Sequence, residues 1–158
     1  MNDLTTTAEC AAGISRGKPD FGSNGKFDPA VKKSPLQVLV VDDEALIRWS
    51  VAETLVDLGV DVEQAVDAAS ALAALETAEW HFDVIVLDLR LPDMDDLTLL
   101  STIRRRLPQV AVVLMTAFGT PEIVAEARAL GVTDILNKPF ELGELGRVVL
   151  AAGRTAAP

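Results

Sequence analysis

Val84-Ile85-Val86-Leu87-Asp88 is apolar at every position until the last, with Asp83 before it and Leu89-Arg90-Leu91-Pro92 after it. A strand with one wet face alternates apolar and polar residues, whereas a strand covered on both faces does not. Val and Ile also favour the extended state. The run therefore predicts a strand over Val84–Asp88 at the centre of a sheet packed between helices, with a carboxylate at its carboxyl end.

Outward from it the pattern repeats. Leu36–Val41 and Val110–Thr116 are further apolar runs, and Val60–Ala65 and Asp134–Asn137 are shorter strand candidates. Between them lie helical stretches: Glu44–Leu58 closed by Gly59, Ala68–Ala78, Leu97–Leu107, Pro121–Leu130 with Gly131 just past its end, and Glu141–Ala152. Proline near a helix start and glycine just after its end are the expected punctuation. Five βα units in succession imply an α/β fold with a parallel sheet, right-handed crossovers and helices on both faces. In such sheets ligands gather at the carboxyl ends of the strands, at the topological switch point.

The organisation expected is a leader over 1–34, a single domain over 35–152 and a short tail over 153–158. The leader is rich in Thr, Gly, Ser, Asn, Lys and Pro without apolar periodicity, and reads as disordered. The chain has 158 residues and a net charge of −10. Residues 1–34 carry five Lys/Arg and four Asp/Glu, and the remainder nine and twenty, a net of −11. That sign opposes direct nucleic-acid binding, which rests on neutralising phosphates. The basic cluster Arg104-Arg105-Arg106 sits late in a predicted helix, where it complements the helix dipole. Mean hydropathy is +0.28, yet no apolar run approaches a membrane span of roughly 18 residues. One cysteine, Cys10, forms no disulfide framework, and a reducing cytoplasm is the expected compartment.

The strand ends carry the chemistry. Strand one ends in Asp42-Asp43-Glu44, strand three in Asp88 and strand four in Thr116, and strand five runs into Lys138-Pro139. Carboxylates about 4 Å apart repel by roughly 4 kcal/mol at an effective dielectric of 20, so the cluster calls for a neutralising partner. Mg²⁺, with carboxylates, waters and a phosphate oxygen, is the expected one. Acidic ligands, a hydroxyl and a lysine are the parts of a phosphoryl-transfer site, with an ionised aspartate as nucleophile.

Four pieces in order, Val38-Leu39-Val40-Val41-Asp42-Asp43-Glu44, Val84 through Met94, Val112 through Gly119, and Leu136-Asn137-Lys138-Pro139-Phe140, resemble the receiver domain of two-component response regulators. The resemblance covers roughly residues 35–152. It implies a flavodoxin-like, doubly wound (βα)5 fold with strand order 2-1-3-4-5. It also implies a signalling switch, not a turnover enzyme, that takes a phosphoryl group from a phosphohistidine onto Asp88 and slowly loses it to water. Asp43 is then the direct Mg²⁺ ligand, Asp42 acts through water, and the backbone carbonyl of Arg90 completes the protein's share. Thr116 is the switch hydroxyl and Lys138 the partner of the phosphoryl group, with a cis peptide before Pro139. Implied partners are a sensor histidine kinase or histidine phosphotransfer protein, the protein itself being a monomer or a weak phosphorylation-dependent homodimer.

The chain departs from the family pattern at three places. Asp96 stands where receivers usually have Gly, and Ile135 stands where they usually have an aromatic or His that takes part in switching. Gly143 and Gly146 in the last helix each cost on the order of 1 kcal/mol relative to Ala, so fraying is expected there.

Helix one carries two apolar stripes. Ile47, Val51, Leu55 and Leu58 are expected to face the sheet, and Ala45, Trp49, Ala52 and Val56 to lie opposite. The resemblance makes Trp49, Ala52 and Val56 a docking stripe for the kinase or phosphotransfer partner; alternatively Trp49 packs against the last helix. His81 precedes strand three, away from the acidic cluster. Trp80, Phe82, Met94 and Met115 read as packing. A haloacid-dehalogenase-like phosphatase would need a second Asp where Arg90 stands, and a flavodoxin-like cofactor binder would not place Asp42-Asp43-Glu44 against a phosphate. No output domain is expected after Ala152, so the chain is either stand-alone or a receiver excised from a longer regulator.

Overall fold

The computed structural model describes residues 34–77, 81–95 and 97–155. The expected leader, apart from Ser34, therefore lies outside the described residues, as do Trp80, Asp96 and the last three residues of the tail.

Along the chain come β1 (Gln37–Val41), α1 (Ala45–Asp57), β2 (Asp61–Ala65), α2 (Ala68–Glu76) and β3 (Val84–Asp88). They are followed by α3 (Thr98–Arg106), β4 (Ala111–Thr116), α4 (Pro121–Ala129), β5 (Asp134–Asn137) and α5 (Leu142–Thr155). All pairings are parallel and the sheet order is β2-β1-β3-β4-β5, as expected.

The apolar runs conceal a period of two. Leu39, Val41, Ile85, Leu87 and Leu114 belong to one core cluster, with Leu100 and Ile103 of α3, Ala68 and Ala71 of α2 and Ala127 of α4. Val38, Val40, Val84, Val86 and Met115 belong to the other, with Val51 and Leu55 of α1 and Leu145 and Val149 of α5. Successive side chains point to opposite faces, and because both faces are buried the alternation leaves no polar trace. Each fully buried Leu or Ile is worth about 1.5–3 kcal/mol, so the central strands hold the sheet rigidly under whatever sits at their ends.

Helix ends follow local chemistry. Gly59 and Gly131 take φ of +80° and +81° just past α1 and α4, a conformation that costs glycine little. Thr120 accepts a hydrogen bond from the Ile123 N–H at 3.3 Å, with Pro121 in the first turn of α4. Asp67 and Ser70 form a reciprocal capping box at α2.

Three expectations are corrected. Helix α5 does not end at Ala152 but runs unbroken over 14 residues to Thr155. Two of its glycines serve close packing: a Cβ on Gly146 would lie 2.7 Å from Leu58 Cδ1, and one on Gly153 would run into Leu36. Leu58, placed toward the sheet by its angle on α1, is 48% exposed because it stands at the C-cap, past the end of the helix. Ala52, assigned to the docking stripe, is 2% exposed. It lies about 60° around the helix from Leu55, at the edge of the stripe nearest the core.

Candidate functional site

The chain passes from β1 outward to β2 and returns across β1 to β3, so the switch point lies between β1 and β3. Asp42 follows the last residue of β1 and Asp88 is the last residue of β3. Thr116 ends β4, and Lys138 follows β5, its N–H donating to the Thr116 carbonyl at 2.7 Å. Four strands thereby deliver their chemical residues to one edge.

Asp42 is fully buried. Its Oδ1 accepts from the Glu44 N–H at 2.8 Å and its Oδ2 from Lys138 Nζ at 2.9 Å. The Arg48 guanidinium donates to its carbonyl at 2.8 Å, which fastens the start of α1 to the strand end. Asp88, 6% exposed, accepts from the Arg90 N–H at 3.2 Å through Oδ1 and from Lys138 Nζ at 3.3 Å through Oδ2. Lys138 also reaches Glu44 Oε1 at 3.4 Å. Thr116 Oγ1 accepts from the Phe118 N–H at 3.1 Å, which leaves its own O–H free to donate. The Lys138–Pro139 bond is cis, as expected.

Carboxylate oxygens of Asp42, Asp43 and Asp88 lie within 4.8 Å of one another, Asp43 being exposed and the other two buried. Two charges at that separation repel by roughly 3–4 kcal/mol at an effective dielectric of 20. Burial, and after it the charge of Asp42, push the Asp88 carboxyl above its ordinary value, against the pull of Lys138 and the Arg90 N–H. Burial works against the Lys138 ammonium, but the hydrogen bond it donates to Asp42 and the charges of Asp88 and Asp42 outweigh it and raise its pKa above the ordinary lysine value. Lys138 pairs with three carboxylates, Asp42, Glu44 and Asp88, and with Asp43 they leave a hard anionic cluster with the oxygen donors a divalent cation such as Mg²⁺ takes.

Asp42, Asp43, Asp88 and Lys138 are thus gathered at one edge, with Thr116 at the end of the neighbouring strand β4 and Arg90 two residues past Asp88. Trp49 and Val56 lie away from it on α1, 57% and 53% exposed, and Leu46 beside them is 74% exposed. Ile135 sits on β5 opposite Leu114, half-buried against the α3 face. His81 lies at the amino end of β3, its N–H donating to Gln37 Oε1.

Several contacts escaped the sequence reading. Glu44 was visible as the third acid of a run, but its pairing with Lys138 depends on β5 lying across the sheet. Arg90 stacks over the Phe118 ring at 4.9 Å. Arg104 does more than complement a helix dipole: it donates to the Val110 carbonyl, and to that of Gly131 at 2.7 Å, binding α3 to the turn after α4. Arg106 pairs with Glu76 of α2 at 2.9 Å. Asp93 accepts from the Ala68 and Ala69 N–H groups across 25 and 24 residues of sequence.

The family model of the response regulator receiver domain matches residues 38–150. The chain is 36% identical over 122 residues to the response regulator protein PilR of Pseudomonas aeruginosa, covering 77% of this chain and 27% of PilR. It is 37% identical over 107 residues to the DNA-binding transcriptional regulator NtrC of Escherichia coli, covering 68% of this chain and 22% of NtrC. The chain thus spans about a quarter of the length of these curated relatives. A CheY-like response regulator receiver domain protein of Methanospirillum hungatei superposes with a TM-score of 0.74 at 25% identity, covering 78% of this chain and 97% of that one.

Proposed function

The chain belongs to the response regulator receiver family, and from that membership we propose that Asp88 accepts a phosphoryl group from a phosphohistidine, with Mg²⁺ held beside it. The observation that carries this is the convergence of Asp88 with Asp42, Asp43 and Lys138 at the switch point of the sheet. In the transfer, an Asp88 carboxylate oxygen forms a bond to phosphorus as the bond to the donor imidazole nitrogen breaks, and the electron pair returns to that nitrogen. Lys138 moves from the carboxylates to a phosphoryl oxygen, and the Thr116 O–H donates to another. Catalysis of this kind is positioning and charge neutralisation.

Asp43, Asp88 and the Arg90 backbone carbonyl would hold the metal, with Asp42 acting through water. Bound there, Mg²⁺ supplies positive charge that offsets the carboxylates and the incoming phosphoryl oxygens. Hydrolysis of the acyl phosphate by water resets the switch, so the chain serves signalling and not turnover. The donor is a sensor histidine kinase or a histidine phosphotransfer protein, and it docks on the apolar surface of α1 around Leu46, Trp49 and Val56. Self-association is weak and follows phosphorylation. The domain extends over residues 35–155, and no helix among the described residues is long and apolar enough to cross a membrane.

The test is incubation of wild type and Asp88→Asn with acetyl phosphate and Mg²⁺, followed by intact mass measurement. Wild type should gain one phosphoryl mass and the variant none. An adduct of equal yield on the Asn variant would end the proposal.

A further inference from the structure

Between Asp88 and α3 the chain makes a tight excursion. Leu91 and Met94 pair as an isolated antiparallel bridge, which puts Pro92 and Asp93 at the corner of a four-residue turn. That turn begins one residue after Arg90. Its tip is anchored: Asp93 Oδ1 accepts from the Ala68 N–H at 2.9 Å and Oδ2 from the Ala69 N–H at 2.9 Å. Both oxygens of one carboxylate are thereby committed to the first turn of α2. Among the described residues, these are the hydrogen bonds that side chains of this loop make to another element.

The anchor itself is firm. Ala68 and Ala71 are fully buried against the sheet. The rest of the α2 terminus is satisfied without Asp93, since Asp67 accepts from the Ser70 N–H and Ser70 Oγ from the Asp67 N–H. The cap of α2 and the fastening of the loop are therefore served by different side chains. We infer that Asp93 is a positioning residue for the metal: it ties the β3–α3 loop to α2 and so holds the Arg90 peptide at the phosphorylation site. The inference rests on the reading above, in which the Arg90 carbonyl is a metal ligand. Groups that orient metal ligands matter because a ligand that wanders must be ordered again on binding.

The comparison is Mg²⁺ titration by calorimetry of the full chain as wild type, Asp93→Ala, Asp93→Asn and Ser70→Ala. Asp93→Ala should bind Mg²⁺ about tenfold more weakly, and Asp93→Asn, which keeps one acceptor oxygen, should fall between it and wild type. Ser70→Ala weakens the same helix end without touching the loop, so its Mg²⁺ affinity should match wild type while its melting temperature falls. Phosphorylation of Asp93→Ala by acetyl phosphate should return to the wild-type rate at saturating Mg²⁺. Unchanged affinity in Asp93→Ala would overturn the inference, and so would an equal loss in Ser70→Ala, which would make Asp93 a helix cap alone. If Asp93→Ala does not fold, Asp93→Asn against Ser70→Ala decides the same question. A wild type that binds no Mg²⁺ would overturn the metal reading and this inference with it, and is recognised because no variant then differs from it.

Discussion

Both carboxylate oxygens of Asp42 are engaged within the protein, one by the Glu44 N–H and one by Lys138. Asp43, exposed beside it, is the acid left open to a cation. Asp43→Asn is therefore expected to lower Mg²⁺ affinity by at least about tenfold, and Asp42→Asn by less, in a calorimetric titration; equal affinities in all three proteins would remove the site as drawn. Asp88 carries a second prediction. Burial, then the charge of Asp42, raise its carboxyl above the ordinary 3.8. A group that holds its proton more tightly when folded contributes stability that is full below its unfolded value and is lost as pH rises through the folded one. The metal-free wild type is then destabilised at neutral pH relative to Asp88→Asn. The variant should melt at the higher temperature at pH 7 in a chelator, with the gap closing as the pH falls toward 3.8. An Asn variant no more stable than wild type at pH 7 would refute this account.

At the scale of elements, the glycines of α5 separate two effects that sequence alone merges. Gly143 has nothing within 4 Å of a built Cβ, whereas a Cβ on Gly153 would meet Cγ and both methyls of Leu36. Gly143→Ala should stabilise by about 0.5–1 kcal/mol through helix propensity, and Gly153→Ala should destabilise by about 1–3 kcal/mol through overpacking. Urea melts that rank them the other way would break the argument. On α1, Trp49→Ala should slow phosphoryl transfer from a histidine donor protein about tenfold, the scale of a truncated interface aromatic. Its rate with acetyl phosphate should stay as in wild type. If both rates fall together, Trp49 is structural. These helices also mark where the sequence was legible. The strands were, because a run buried on both faces admits few other readings, and helix ends were wherever Gly or Pro set the backbone. Ala52 was misplaced because a helical wheel gives angles but not where the neighbouring helix lies. Glu44, Asp93 and Arg104 were missed because their partners stand on other elements, with nothing in the local pattern to announce the pairing. The chemical centre was readable for the opposite reason: parallel topology brings successive strand ends to one edge, so order along the chain becomes proximity.

Across the whole molecule, the question is how far a change at Asp88 travels. Thr116 lies against the turn into α4, since a Cβ on Gly119 would meet Thr116 Cγ2 at 3.0 Å and Val124 Cγ2 at 3.2 Å. Helix α4 buries only Ala127 fully, and its far end is held by Arg104 through the Gly131 carbonyl. A shift of Thr116 therefore has a packed route to the first turn of α4. The second route, through β5, is weaker. Ile135 stands opposite Leu114 where receivers usually carry an aromatic or His. It is shorter, β-branched with one preferred χ1 state in most settings, and lacks a polar tip to hydrogen-bond in an outward position. A modification moves an equilibrium only by its differential contacts with the two states, and Ile135 offers few. In NMR shift mapping with beryllofluoride and Mg²⁺, wild type should change strongly around the site, Lys138 included, and only modestly along α4 past its first turn, along β5 and along α5. Ile135→Tyr should extend the change across β5 and α5 and strengthen phosphorylation-dependent self-association in sedimentation. Large, saturated shifts along the whole of α4 in wild type would show that the aromatic is dispensable, because the Thr116–Gly119–Val124 contact would then suffice to move the helix on its own.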